Sequence, residues 1–277
     1  MWGMGTLGNR SHPVRFGTMG WNHKDWVGPF YSDPRPGRGW LSHYCKQFSV
    51  VEVQIPFPQG YKKELLEAWS RNTPLGFLFC FRFPWNTGKE ALLNGKETLF
   101  QAMDRFLPIE GDLGPFVLPI GEGGGVDRDT LPGLLCSFLK SWNRRYSSHF
   151  RLGLELASPH LWRKDVLDVM REAKVGMVIN DVPWTPDPDM ILDRQDLLTG
   201  GFSYIRLVGH PRELPGGGGP YRKALLDRTW KLKGWANWIR RAAWKMEVFA
   251  LAANTFAGFA PFTSRELYRL LLNEDGV

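Results

Sequence analysis

Cysteine is scarce in this chain: Cys45, Cys80 and Cys136 are the only three among 277 residues, widely spaced and without a C-x-x-C pair. An odd number so placed excludes a disulfide framework and a structural zinc ribbon, and it fits a reducing compartment. Long apolar runs are missing too. The longest weakly polar stretch, residues 248–262, is broken by Asn254 and falls short of the roughly 18 residues that a membrane span requires. Residues 1–13, MWGMGTLGNRSHP, have no apolar centre of the kind a signal peptide needs, and read as a loose tail before one domain over residues 14–277. No repeat at a fixed period is present, which excludes a solenoid. Acids are the minority charge: 28 Asp and Glu against 35 Lys and Arg give +7, a balance that favours anionic partners. The expectation is a cytoplasmic protein with no membrane segment.

What the chain does have is tryptophan, 13 residues of it, and a regular alternation of short apolar runs with amphipathic patterns. Extended runs are predicted at residues 14–18, 50–54, 77–82, 116–119, 152–156, 175–180, 204–208 and 248–253. Between them the spacing predicts helices at 61–72 and 96–107, and one from Asp129 or Thr130 towards Tyr146. Ser158 with Pro159 opens another, a short one lies near 189–198, and a basic one spans 221–244. Thr263 with Glu266 three residues on reads as a capping box for the last helix. Eight strands alternating with helices imply a parallel sheet, and eight is the number that closes it. The fold class expected is α/β, a single (β/α)8 TIM-type barrel with outer helices.

Polar residues gather at the ends of these runs. Trp21, His23 and Lys24 follow the first, Glu52 and Gln54 close the second, and Arg82 closes the third. Glu155, Asp181, Arg206 and Asn254 stand at the ends of the fifth to eighth. In apolar surroundings an unpaired charge costs several kcal/mol, on the order of 3–5, so these groups must meet partners or a ligand. One reading is a structural ion-pair ring, because the three acids and two arginines nearly cancel. The other is a ligand site on the face where barrel enzymes place their chemistry. There Glu155, with Glu52 or Asp181, would be the acid and base of a hydrolase or isomerase. Trp21, His23, Lys24, Gln54, Arg82, Arg206 and Asn254 would hold a small anionic or sugar-like molecule. A divalent metal on Glu52, Glu155 and Asp181 with His23 or His210 is opposed by the two arginines, and no compact ligand motif is present, so no metal ligand is assigned.

A second partner class comes from residues 221–245, between Tyr221 and Lys245. Eight lysines and arginines stand there against one acid, Asp227, interleaved with Trp230, Trp235, Trp238 and Trp244. Basic residues among aromatic surfaces suit single-stranded nucleic acid, whereas on an outer helix the tryptophans would face the sheet and the charges water. The glycines 216–219 and residues 255–258 occupy loops where barrels grip phosphate, but neither matches a nucleotide-binding fingerprint. The sequence sets neither substrate nor oligomeric state.

Several motifs resemble one family. GTMGWNHKDWVGPFY is similar to the opening GTSGWSYKDWxGxFYP of the family catalogued as domain of unknown function 72, the YecE-like TIM barrels. FSVVEVQIPF is similar to its F-x-x-VE-x-N-x-x-F segment, LGPFVLP to LGPxLxQLP, and ANTFAGFAP to N-N-x-x-x-G-x-A-x. GLELASPHLW, VINDVP and YIRLVG continue the resemblance in the right order between Val14 and Leu272. It implies the barrel and no established reaction. Trp21, Lys24, Asp25, Glu52, Glu155, Asp181, Arg206 and Asn254 match. Gln54 stands for the usual Asn, Arg82 for Lys, Val117 for Gln, Ala157 for Arg, Ala253 for Asn and Phe259 for His. The altered set implies a different ligand or an inactive relative.

Overall fold

Eight apolar runs take up extended backbone in the computed structural model, which describes residues 13–35, 39–121 and 126–273. They are β1 (Val14–Met19), β2 (Val50–Gln54), β3 (Leu78–Arg82), β4 (Leu113–Ile120), β5 (Leu152–Leu156), β6 (Gly176–Asp181), β7 (Phe202–Leu207) and β8 (Glu247–Ala252). Pairing follows chain order and returns to β1, a closed barrel. Gly17 lies opposite Val50 and Val14 opposite Val248, both in parallel ladders. Parallel strands covered on both faces read as continuous apolar runs, and every residue of β4 and β5 is buried. The expected tail lies outside the described residues except for Pro13.

The outer helices are α1 (Trp40–Cys45), α2 (Lys63–Arg71), α3 (Thr87–Leu93), α4 (Glu97–Asp104) and α5 (Leu131–Tyr146). They continue with α6 (Lys164–Glu172), α7 (Thr229–Ala243), α8 (Asn254–Ala257) and α9 (Ala260–Asn273). Among the described residues no helix is long and apolar enough to cross a membrane. The chain parses into two compact units. The first comprises residues up to Glu52, Asn180–Gln195 and the residues from Ser203 onward, and the second comprises Val53–Ile179 with Asp196–Phe202.

Three helix starts differ from expectation, whereas α5 begins at Leu131 with Thr130 at its N-cap position as expected, and only the capping side chain differs. The basic helix begins at Thr229, eight residues later than the pattern implies. The backbone N–H groups of Leu225 and Leu226 bond the Ala257 carbonyl at 2.7 and 3.3 Å, so that stretch cannot close helical turns. Thr263 is already inside α9, its hydroxyl donating to the Phe259 carbonyl. The Asn254 side chain instead accepts from the first N–H, that of Ala260, at 3.1 Å. Before α5 it is Asp127 Oδ1 that accepts from the N–H groups of Asp129 and Thr130 at 3.0 and 2.9 Å. Ser158 does accept from His160 N at 3.3 Å, but it opens a short 3-10 turn, and α6 starts only at Lys164.

Candidate functional site

The opening motif builds the end of β1 in the first unit. A Cβ on Gly17 would lie 1.9 Å from the Val50 carbonyl oxygen, so only glycine lets the two backbones approach. Beside it the Tyr44 hydroxyl accepts from Thr18 N (2.8 Å) and donates to the Val50 carbonyl (3.0 Å). Gly20, at φ +80°, turns the chain and donates to the Glu52 carbonyl at 2.8 Å. Trp26 is fully buried, and the Trp21 carbonyl accepts from the Tyr31 hydroxyl at 2.6 Å.

Glu52 meets Arg206. Arg206 donates Nε to Glu52 Oε2 and Nη2 to Oε1, both at 2.9 Å, and the two side chains are 5% and 9% exposed. Tyr204, two residues earlier and so on the same face of β7, adds its hydroxyl to Oε2 at 3.0 Å. Arg206 Nη1 reaches Asn180 Oδ1 at 3.1 Å. A bidentate, further hydrogen-bonded pair is the arrangement that makes burial of two charges tolerable. Tyr204 and Asn180 are absent from the residues expected at the site. Period two from Arg206 points to Tyr204, but in β6, buried on both faces, no alternation tells Asn180 from Asp181.

Asp181 serves a different purpose. Its carboxylate accepts from Lys231 Nζ at 2.8 Å and from Trp235 Nε1 at 2.6 Å, which turns it to the outer helix α7. Lys231 also pairs with Asp187 at 3.1 Å. Burial works against the lysine charge, yet Asp181 and Asp187 outweigh it and raise its pKa. The strand end thus splits: Asn180 bonds Arg206, and Asp181 fastens β6 to α7.

Asn254 and His23 form a second link in this unit. Asn254 Oδ1 accepts from Trp26 Nε1 at 3.0 Å and from Ala260 N, so its amide nitrogen faces His23 Nδ1 at 3.3 Å. That nitrogen must then accept, which leaves the proton on Nε2, donated to the Met19 carbonyl at 3.1 Å. Burial lowers the pKa of His23, with Met19 and Asp25 acting weakly the other way. The imidazole is a neutral bridge. Phe259, where the resemblance expects His, packs edge-on to Trp26 with centroids 6.3 Å apart. Lys24 is exposed, and Asp25 Oδ2 accepts from Tyr221 N at 3.0 Å. His210 Nδ1 accepts from Arg212 N at 3.1 Å, and its ring meets the exposed Trp184 edge-on.

The second unit carries the other arginine pair. Arg82 donates Nε to Glu155 Oε2 (2.7 Å) and Nη2 to Oε1 (2.9 Å), with the side chains 13% and 2% exposed. Its Nη1 reaches Gln54 Oε1 and the Phe83 carbonyl only at 3.4 Å each, beyond the usual range for N–H···O bonds. Gln54 is exposed. Trp85, three residues past β3 and about half exposed, lies against Gly121, where a Cβ would be 3.6 Å from the indole. Among the described residues no three His, Cys, Asp or Glu side chains form a group fit to hold a metal ion.

Known proteins resemble this chain in sequence or in fold. UPF0759 protein YecE of Escherichia coli strain K12 is 27% identical over 152 residues, which cover 54% of this chain and 51% of that protein. The chain therefore matches about half the length of that curated relative. A crystal structure of a DUF72 family protein from Enterococcus faecalis V583 superposes with a TM-score of 0.66 at 16% identity, covering 93% of this chain and 95% of the other. A D-psicose 3-epimerase from Clostridium cellulolyticum H10, solved with D-tagatose, superposes at 0.53 with 10% identity over 93% and 96%. These structural likenesses are likenesses of fold. The model of the family described as "Protein of unknown function DUF72" matches residues 15–276, and the chain belongs to that family.

Proposed function

We propose that the chain binds a small anionic molecule of the sugar-acid or sugar-phosphate kind at the carboxyl-terminal ends of β2 and β3. Arg82 Nη1 and the Gln54 amide are its polar contacts, and Trp85 is its flat wall. The observation that supports this reading is the uneven use of Arg82. Two of its nitrogens hold Glu155 at 2.7 and 2.9 Å, whereas the third meets its acceptors only at 3.4 Å beside an exposed amide. An anion arriving there gains a charge-assisted hydrogen bond without breaking the buried pair. Gln54 and Arg82 are also positions where this chain departs from the family's usual Asn and Lys, which makes them the selective contacts. Glu155 and Glu52 then act by holding arginines in place. A hydrolase or isomerase step would require Glu155 to release a guanidinium contact and take a proton instead.

Calorimetric titration with neutral monosaccharides, sugar acids, sugar phosphates and inorganic phosphate tests the reading. Saturable binding is expected for anionic members only. Gln54→Leu and Trp85→Ala should each weaken it about tenfold, the size of one lost hydrogen bond to a charge or one lost stacking face. Glu155→Gln should remove any turnover that a hit shows. Unchanged affinity in both contact variants, or no binding across the panel, overturns the proposal.

A further inference from the structure

The basic segment resolves into two faces once α7 is in place. Trp235, Trp238, Leu232 and Ile239 are buried, and Lys231 is held by Asp181. Arg222, Arg228, Arg240 and Lys245 bond Val27 O, Glu213, Leu270 O and Gln195 respectively. Flanked by the exposed Thr229 and Lys245, the outward side chains along α7 are Trp230, Lys233, Asn237, Arg241 and Trp244. At about 100° per residue these fall within one stripe roughly 80° wide, and at ~1.5 Å per residue the two tryptophans stand about 21 Å apart along the axis. Trp230 is 53% exposed and Trp244 65%. No acid lies on the stripe. Arg241 pairs beside it with Asp193, itself 95% exposed, a geometry that contributes little and yields readily to another anion.

We infer that this stripe is a docking surface for single-stranded nucleic acid, with bases stacking on Trp230 and Trp244 and phosphates on Lys233 and Arg241. Trp230, with Lys231 Nζ 5.5 Å from its ring centroid on one side, and Trp244 are each more than half exposed, and with cations between them they complement a flexible polyanion that carries its own flat rings. The net charge of +7 draws such a partner from a distance. A lipid surface fits less well. Interfacial helices bury an apolar face several ångströms deep, and the apolar face of α7 is already spent on the barrel. Between the tryptophans only Lys, Asn and Arg face outward.

Fluorescence anisotropy of a labelled oligothymidylate with the full chain tests the inference. Binding at low salt should weaken as salt rises. Trp230→Ala with Trp244→Ala should lose tenfold or more of the affinity, and Phe at both positions should restore most of it. Lys233→Glu with Arg241→Glu should weaken binding and flatten the salt dependence. All four positions face solvent, and an unchanged melting temperature checks that the variants fold. The inference fails if the oligonucleotide does not bind at low salt. It fails equally if the variants bind like the parent, or if vesicles rich in anionic lipid compete as well as unlabelled oligonucleotide.

Discussion

Single residues carry more of this structure than their exposure suggests. Gly17 has no room for a methyl group, since the obstacle is the Val50 carbonyl on a neighbouring strand rather than a movable side chain. Gly17→Ala should therefore cost at least about 1–3 kcal/mol, the range for overpacking a core. Gly133, exposed in α5 with nothing within 4 Å of where a Cβ would stand, is the contrast. Gly133→Ala should stabilise by up to about 1 kcal/mol through helix propensity, and urea denaturation reads both. His23 sets an acid limit. Its folded pKa lies below 6.5, so as pH falls the unfolded chain takes up that proton first. The contribution of His23 is then complete above about pH 6.5 and declines as pH drops towards the folded value. Proton NMR should show the His23 imidazole titrating below the usual histidine range, as should His43, which burial and then Lys46 and Arg265 also lower, accompanied by a falling melting temperature. A His23 titration at 6.5 or above would contradict the neutral bridge between Asn254 and Met19.

Elements are held to one another by a few polar fasteners, and these are the features least legible in the sequence. The eight strands were legible because a strand buried on both faces is a short run of Val, Leu, Phe and Ile. Their ends carried the arginines and acids that pair in the structure. Helix starts were less legible, because groups outside the helix take the N–H groups there: the Asn254 side chain at the start of α9, and the Ala257 carbonyl of α8 in the segment before α7. Nothing in the sequence near Ala260 says that Asn254 will cap it rather than Thr263. The segment before Thr229 has helical spacing but gives its N–H groups to Ala257. Asp181 was legible as a strand-end acid and not as the anchor of α7, since Lys231 looked like one of many surface cations. Lys231→Met tests that anchor. It leaves Asp181 buried without its cation and should cost about 3–5 kcal/mol, whereas adding Asp181→Leu should recover part of the loss. A melting temperature unaffected by the single change would remove the fastener from the account.

At the scale of the whole molecule, chain order and pairing order coincide, and this is why a rhythm of apolar runs was enough to predict a closed barrel. The same scale separates the three cysteine thiols by burial. Cys80 is buried in β3, Cys45 is part-covered in α1 with burial pushing its thiol up to about 12, and Cys136 is partly exposed on α5. A thiol reagent at neutral pH should label Cys136 first and Cys80 only on unfolding. Chemistry is less legible at this scale than fold, because both candidate glutamates turned out to be gripped by arginines. Their identities as acids say little without that geometry. On the proposed reading Arg82 keeps one edge for a ligand, while Arg206 is held by Glu52 and Asn180. Arginine side-chain nitrogen NMR tests it most directly: signals are assigned through Arg82→Lys and Arg206→Lys, and the protein is titrated with its tightest-binding anionic sugar. The Arg82 resonances should move to saturation while those of Arg206 stay in place, and movement of Arg206 with Arg82 unmoved would overturn this division of roles.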